Sequence, residues 1–172
     1  MKKIILLGYM GSGKSTIAQK LSKITNIPFL DLDICIEERA RKSINLIFEE
    51  HGEIYFRKLE HQIFLELLQS SEKSIIGLGG GTPCYANNHE LLKREDVISI
   101  YLKASIETLY NRLVHNKSKR PLIASMNEDE MREFIAKHLF DRSFYYNQAQ
   151  NKVSVDGKTA DETVQDILAL LA

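Results

Sequence analysis

The chain has 172 residues, of which 44% are hydrophobic and 27% charged, with only three Pro and nine Gly; this suits one globular domain around a single core and excludes a long disordered segment. Lys plus Arg equals Asp plus Glu at 23 each, so no whole-molecule field draws the chain to nucleic acid or an anionic membrane, and any basic site must be local. The first apolar run, Ile4 to Leu7, is too short for a signal-peptide core or a membrane span, which leads us to expect a cytoplasmic protein.

Lys3 to Leu7 reads as a buried strand, and Gly8-Tyr-Met-Gly-Ser-Gly13-Lys14-Ser15 follows it directly, before a helical pattern of Ile17, Leu21 and Ile24. This is GxxxxGK[ST] in the context its mechanism needs. Glycines let backbone N–H groups turn around phosphate oxygens, and the helix start adds positive partial charge. Lys14 is placed to reach the terminal phosphates and Ser15 to ligate Mg²⁺. A dinucleotide fingerprint is excluded, because neither Gly11-Ser-Gly13 nor Gly77-Leu-Gly79 has the third glycine in place. A guanine-specific NKxD motif is also missing: Asn116-Lys117 continues into Ser118-Lys119, and Asn151-Lys152 into Val153-Ser154.

A second strand-like run, Ile27 to Leu30, ends in Asp31-Leu32-Asp33. Alternation along an extended segment would put both carboxylates on one side, one to help hold Mg²⁺ through water and the other to orient a hydroxyl and take its proton. The plainer alternative is that Asp33 caps the helix that follows. Ser43 is a cap for a short helix through Phe48 to His51 that ends at Gly52, and Phe56, Leu59, Ile63 and Leu67 mark a longer helix over Tyr55 to Gln69. On it Arg57 has Glu53 at i−4 and Glu60 at i+3, which by itself reads as a solvated charge ladder.

The third run, Ser74 to Leu78, leads into Gly79-Gly80-Gly81, where three missing side chains imply close approach, most simply by a ligand. Val97 to Leu102 is a fourth strand, followed by a helix over Leu109 to Leu113 and a polar stretch, His115 to Pro121, that reads as a mobile loop. Within it, Arg120 is placed to swing over a phosphate in the manner of an arginine finger. A long helical pattern, Glu128 to Phe144, carries Arg142 with Tyr145 and Tyr146 just beyond, and Lys152 to Val155 is the last strand. Alternating strands and helices predict a parallel sheet of about five strands covered on both faces, with ligands at the carboxyl ends. Cys35 and Cys84 form no CxxC pair and the five histidines no HExxH, so no protein-held transition metal is expected.

In order and spacing, Gly8 to Thr16, Asp31-Leu-Asp33, Phe56-Arg57-Lys-Leu-Glu60, Gly79 to Gly81, Arg120-Pro121-Leu122 and Arg142-x-x-Tyr145-x-x-x-Ala149 resemble shikimate kinase over nearly the whole chain. The resemblance implies a three-layer α/β P-loop NTPase fold, nucleoside-monophosphate-kinase-like with a lid, as a single domain over residues 1–172. A substrate-binding helical insertion would span about 33–62 and the lid about 113–126. The implied reaction is transfer of the ATP γ-phosphate to the 3-hydroxyl of shikimate in the chorismate route to aromatic amino acids.

Carried over by residue, the catalytic set is Lys14, Asp33 and Arg120. The nucleotide set is Gly11, Ser12, Gly13, Lys14, Ser15 and Thr16 with Arg112, a candidate to stack on adenine, and Arg120. Shikimate would meet Asp33, Gly79, Gly80 and Gly81, with Arg57 and Arg142 on its carboxylate, and Mg²⁺ would meet Ser15 and, through water, Asp31. The implied partner is shikimate alone, with no nucleic acid or membrane, acting on a monomer. Two rivals share the cradle: a gluconate-type kinase and a non-catalytic nucleotide-binding module, neither of which needs both arginines. One departure is Thr82-Pro83-Cys84 after the glycines, where a small apolar residue such as alanine is expected.

Overall fold

The computed structural model describes residues 2–172. Five strands, β1 (Lys3–Leu7), β2 (Phe29–Asp31), β3 (Ile75–Gly77), β4 (Val97–Lys103) and β5 (Asn151–Ser154), form one sheet in the order β2-β3-β1-β4-β5. Every pairing is parallel, with Ile5 opposite both Ile76 and Ser99. The helices α1 (Lys14–Thr25), α2 (Leu32–Ala40), α3 (Ile44–Gln69), α4 (Asn88–Leu91), α5 (Ile106–Val114), α6 (Glu128–Tyr146) and α7 (Ala160–Leu171) cover the sheet on both sides. The predicted architecture is the one observed.

A sheet covered on both faces needs strands that are apolar throughout, and all of β1 is buried. Ile5, Leu6 and Leu7 have no exposed surface, and each such side chain contributes about 1.5–3 kcal/mol relative to exposure. Because the strands run the same way, β1, β2 and β3 deliver Gly8, Asp31 and Gly79 to one edge of the sheet. The amide of Leu78 donates to the Leu6 carbonyl at 3.0 Å, carrying the register up to that edge.

The second strand is the main local correction. It ends in Asp31, and Asp33 lies not in an extended segment but in the first turn of α2. Asp31, not Asp33, is the cap: its Oδ1 accepts from the amides of Asp33 at 2.9 Å and Ile34 at 3.2 Å. Satisfying these two otherwise unpaired donors is what turns strand into helix at that point. The Ser43 cap is present, its hydroxyl accepting from the Leu46 amide at 3.2 Å. Gly52, at φ 81° and ψ 176°, breaks α3 into the expected short and long arms. The polar stretch after α5 contains a single 3-10 turn, Lys117–Lys119.

A buried serine ties β4 to the chain around it. The Ser99 hydroxyl donates to the Leu92 carbonyl at 2.7 Å and accepts from the Gln150 amide at 2.9 Å. Ser99→Ala leaves both backbone groups without that partner and is expected to cost about 1–3 kcal/mol, read as a lower urea midpoint at unchanged slope.

Candidate active site

The phosphate cradle is assembled by backbone geometry. Gly13, the N-cap of α1, sits at φ 93°, a left-handed conformation that costs glycine little and other residues much, and it offers no side chain to cap the helix. The first turn of α1 is therefore left without a side-chain cap, which leaves its amides for an anion. Lys14 lies across the loop, its Nζ donating to the Gly8 carbonyl at 2.6 Å and contacting that of Tyr9 at 3.4 Å. Burial pushes its pKa down to about 8, while the carboxylates of Asp33 and Asp31 act to hold it up. Ser15 and Thr16 are exposed along the same wall.

The cradle opens into a cleft of about 440 Å³ whose lining includes Asp31, Asp33, Gly79, Gly80, Arg112 and Arg120. Arg112 comes from α5, and its Nη1 donates to the carbonyls of Gly11 at 3.2 Å and Ser12 at 3.0 Å, bracing the loop. Arg120 rests on the cradle, with Nη1 at 3.7 Å from the Met10 sulfur and a buried Nε that lacks a partner among the described residues. A thioether is a weak acceptor, so nothing strong holds this guanidinium back from a phosphate.

Asp33 lines the same cleft as Lys14. Burial, with Asp31 and Glu60 adding repulsion against a smaller attraction from Lys14, raises its pKa to about 6. What comes close to the three glycines is the protein itself. A Cβ on Gly79 would lie 3.0 Å from Asp33 Oδ1, one on Gly80 3.0 Å from Arg142 Nη1, and one on Gly81 2.8 Å from Arg57 Nη2. The loop is thus the floor on which one acid and two arginines converge, although they come from α2, α3 and α6. The expectation of a ligand pressed on the glycines is sharpened: the candidate ligand-binding side chains occupy that space first.

Arg57 is more than a rung of a charge ladder. Its guanidinium lies 3.9 Å from the Tyr85 ring centroid, and its Nη1 donates at 2.9 Å to Glu60, which is 1% exposed. Arg142 is steered by Tyr146, whose hydroxyl donates to the Gly80 carbonyl at 2.6 Å and lies 3.4 Å from Arg142 Nη1. Glu60, Tyr85 and Tyr146 carry no site role in the sequence reading. Tyr146 stands four residues after Arg142, a helical spacing that could have flagged it; nothing local shows that Glu60 is buried.

Among the described residues no cluster of three or more His, Cys, Asp or Glu could cage a metal ion, and no helix is long and apolar enough to cross a membrane. The fold and the site together define a P-loop kinase of the nucleoside-monophosphate-kinase-like class with a small-molecule acceptor pocket. A family model described as shikimate kinase matches residues 10–172. The shikimate kinase of Flavobacterium johnsoniae is 80% identical over 172 residues, all of both chains. The crystal structure of shikimate kinase from Bacteroides thetaiotaomicron superposes with a TM-score of 0.90 at 35% identity, covering 99% of this chain and 98% of that one. The solved structure of the Acinetobacter baumannii shikimate kinase in complex with shikimate superposes with a TM-score of 0.85 at 31% identity, covering 99% of this chain and 93% of that one. The chain belongs to the shikimate kinase family.

The raised pKa of Asp33 has a cost in stability. Its folded value near 6 exceeds the ordinary 3.8, so the folded state binds the extra proton between those pH values and loses stability as pH rises through them. Asp33→Asn is therefore expected to be about 1–3 kcal/mol more stable than the parent above pH ~6, with the gain vanishing below pH ~4. Denaturant titrations of both proteins across that range check the sign.

Proposed function

We infer that the protein is an ATP-dependent shikimate kinase, transferring the γ-phosphate of ATP to the 3-hydroxyl of shikimate to give shikimate 3-phosphate and ADP. The observation that carries the reading is the convergence of Asp33, Arg142 and Arg57 on Gly79, Gly80 and Gly81, beside the phosphate cradle. A hydroxylated ring acid presents one carboxylate to the two arginines and a hydroxyl to Asp33. Guanidinium forks suit the first contact, and an ionised carboxylate with a pKa not far below neutrality suits the second.

In this reading Asp33 orients the 3-hydroxyl and accepts its proton as the new oxygen–phosphorus bond forms and the bond to the β-phosphate oxygen breaks. Lys14 exchanges its carbonyl contacts for the β- and γ-phosphates, whose negative charge favours its protonated form. Gly11, Ser12, Gly13, Ser15 and Thr16 surround the phosphates, Arg112 flanks the base, and Arg120 closes on the transferring group. Ser15, with Asp31 through water, would hold Mg²⁺; only one Asp31 oxygen is used in capping, which leaves the other for that water. The residues fit an ion that takes most of its ligands from phosphate and water, and such an ion supplies neutralisation of developing charge.

We further read the chain as one domain with a substrate-binding insertion at about 33–62 and a lid at about 113–126. The lid reading is supported by Arg120 and by Leu122, 70% exposed and without a packing role in the present arrangement. We read the protein as a monomer, and an ATP donor with two unpaired thiols supports a cytoplasmic setting.

A coupled ADP-release assay with shikimate as the sole acceptor tests the activity: ADP is expected to form only when shikimate is present. In the same assay Asp33→Asn is expected to lose at least about a hundredfold in turnover while still binding ATP; near-normal turnover would remove Asp33 from the chemistry. Limited proteolysis within 113–126 is expected to slow when an ATP analogue is added, and unchanged cleavage would argue against a lid there.

A further inference from the structure

Thr82, the first residue after the triple glycine, is entirely buried. Its hydroxyl donates to Glu60 Oε2 at 2.8 Å, while Glu60 Oε1 accepts from Arg57 Nη1 at 2.9 Å. Glu60 thus divides its two oxygens between a threonine and an arginine. An arginine and a carboxylate this close ordinarily pair through two parallel hydrogen bonds. Here only Oε1 meets Arg57, because the bond from Thr82 turns Oε2 toward the loop after β3. Arg57 Nε is buried without a hydrogen bond among the described residues, 3.7 Å from Glu53 Oε1, while Nη2 lies against Gly81 on the floor of the site.

Thr82 is itself fixed. Its amide donates to the Gly79 carbonyl at 3.1 Å, and its carbonyl accepts from Asn88 Nδ2 at 3.0 Å. Asn88, also fully buried, places Oδ1 2.6 Å from Nδ1 of His61, which is one residue beyond Glu60 on α3. The helix that carries Arg57 and Glu60 is therefore clamped to the loop that carries Thr82 at two points.

We propose that Thr82 is a positioning residue for acceptor binding: by drawing Oε2 of Glu60 toward itself it turns the carboxylate so that only Oε1 reaches Arg57, and it leaves Nη2 for the acceptor's carboxylate. The proposal rests on the shikimate reading above. Without the hydroxyl, Oε2 becomes a buried, unpaired oxygen, and the carboxylate relieves this by turning onto a second nitrogen of Arg57. The acceptor then competes with Glu60 for the arginine. Such a loss weakens binding in the ground and transition states alike, so it raises KM and leaves kcat nearly unchanged.

The test is steady-state kinetics of the full chain with Thr82→Val, Thr82→Ala and Thr82→Ser, each first checked for a cooperative melt. Thr82→Val is expected to raise the KM for shikimate roughly tenfold, with kcat and the KM for ATP changed by less than about threefold, the loss of one charge-assisted partner. Thr82→Ser, which restores the hydroxyl, is expected to return the KM for shikimate to near the parent value. If Thr82→Val does not fold, Thr82→Ala removes the hydroxyl with a smaller demand on space and carries the same expectation. An unchanged KM for shikimate in the folded hydroxyl-free variant overturns the proposal, as does an equal rise in both KM values or a failure of serine to rescue. A parent protein that releases no ADP with shikimate overturns the function itself, an outcome distinct from these.

Discussion

Parallel pairing of β1 with β3 is the constraint from which the site follows. The hydrogen bonds between these central strands fix Leu6 opposite Gly77, so the chain leaves both strands at the same level, one into the phosphate cradle and the other into the triple glycine. A slip of one residue would turn every side chain of β1 to the opposite face and would also move Gly8 away from Gly79. The cost of such a slip is set by Ile4, Ile5, Leu6 and Leu7, all buried between two layers of helices. Core packing and active-site geometry are in this sense one constraint.

The charges in the cleft are held apart by their surroundings. Asp33 is pushed up by burial and by Asp31 and Glu60, and Lys14 is pushed down by burial, so each is brought closer to neutral pH than it would be in water. Groups in that condition exchange protons readily and bind opposite charge strongly. The same enclosure costs stability, as is common where charged groups are buried in a cleft. Arg57 and Arg142 escape it by leaning on neighbours: Glu60 and Tyr85 support the first, Tyr146 the second. Their forks are oriented by these neighbours alone, which would reduce the ordering cost of any anion they bind.

Much of this was legible in the residue order. The P-loop is a local motif whose strand, turn and helix are contiguous, so Gly8 to Ser15 could be assigned together with the elements that flank them. The five strands and the break at Gly52 were visible for the same reason. Other features misled because their meaning is not local. Asp31-Leu-Asp33 looked like strand alternation, but a cap decided otherwise: once Asp31 accepts from two following amides the backbone turns helical, and Asp33 reaches the cleft from a helix. Arg57 between Glu53 and Glu60 looked like a solvated ladder, yet one acid is half in water and the other wholly buried.

The sequence by itself determined the class of fold, the phosphate cradle and the family resemblance, because each rests on spacing within a segment or on the order of segments along the chain. Only the tertiary structure decided what the triple glycine is for. Gly79, Gly80 and Gly81 lack side chains so that Asp33, Arg142 and Arg57 can close on them, and these three arrive from helices far apart in sequence. The role of Thr82 was invisible for the same physical reason. A buried hydroxyl matters through the carboxylate it holds, and that partner is brought to it by packing of α3 against the loop after β3.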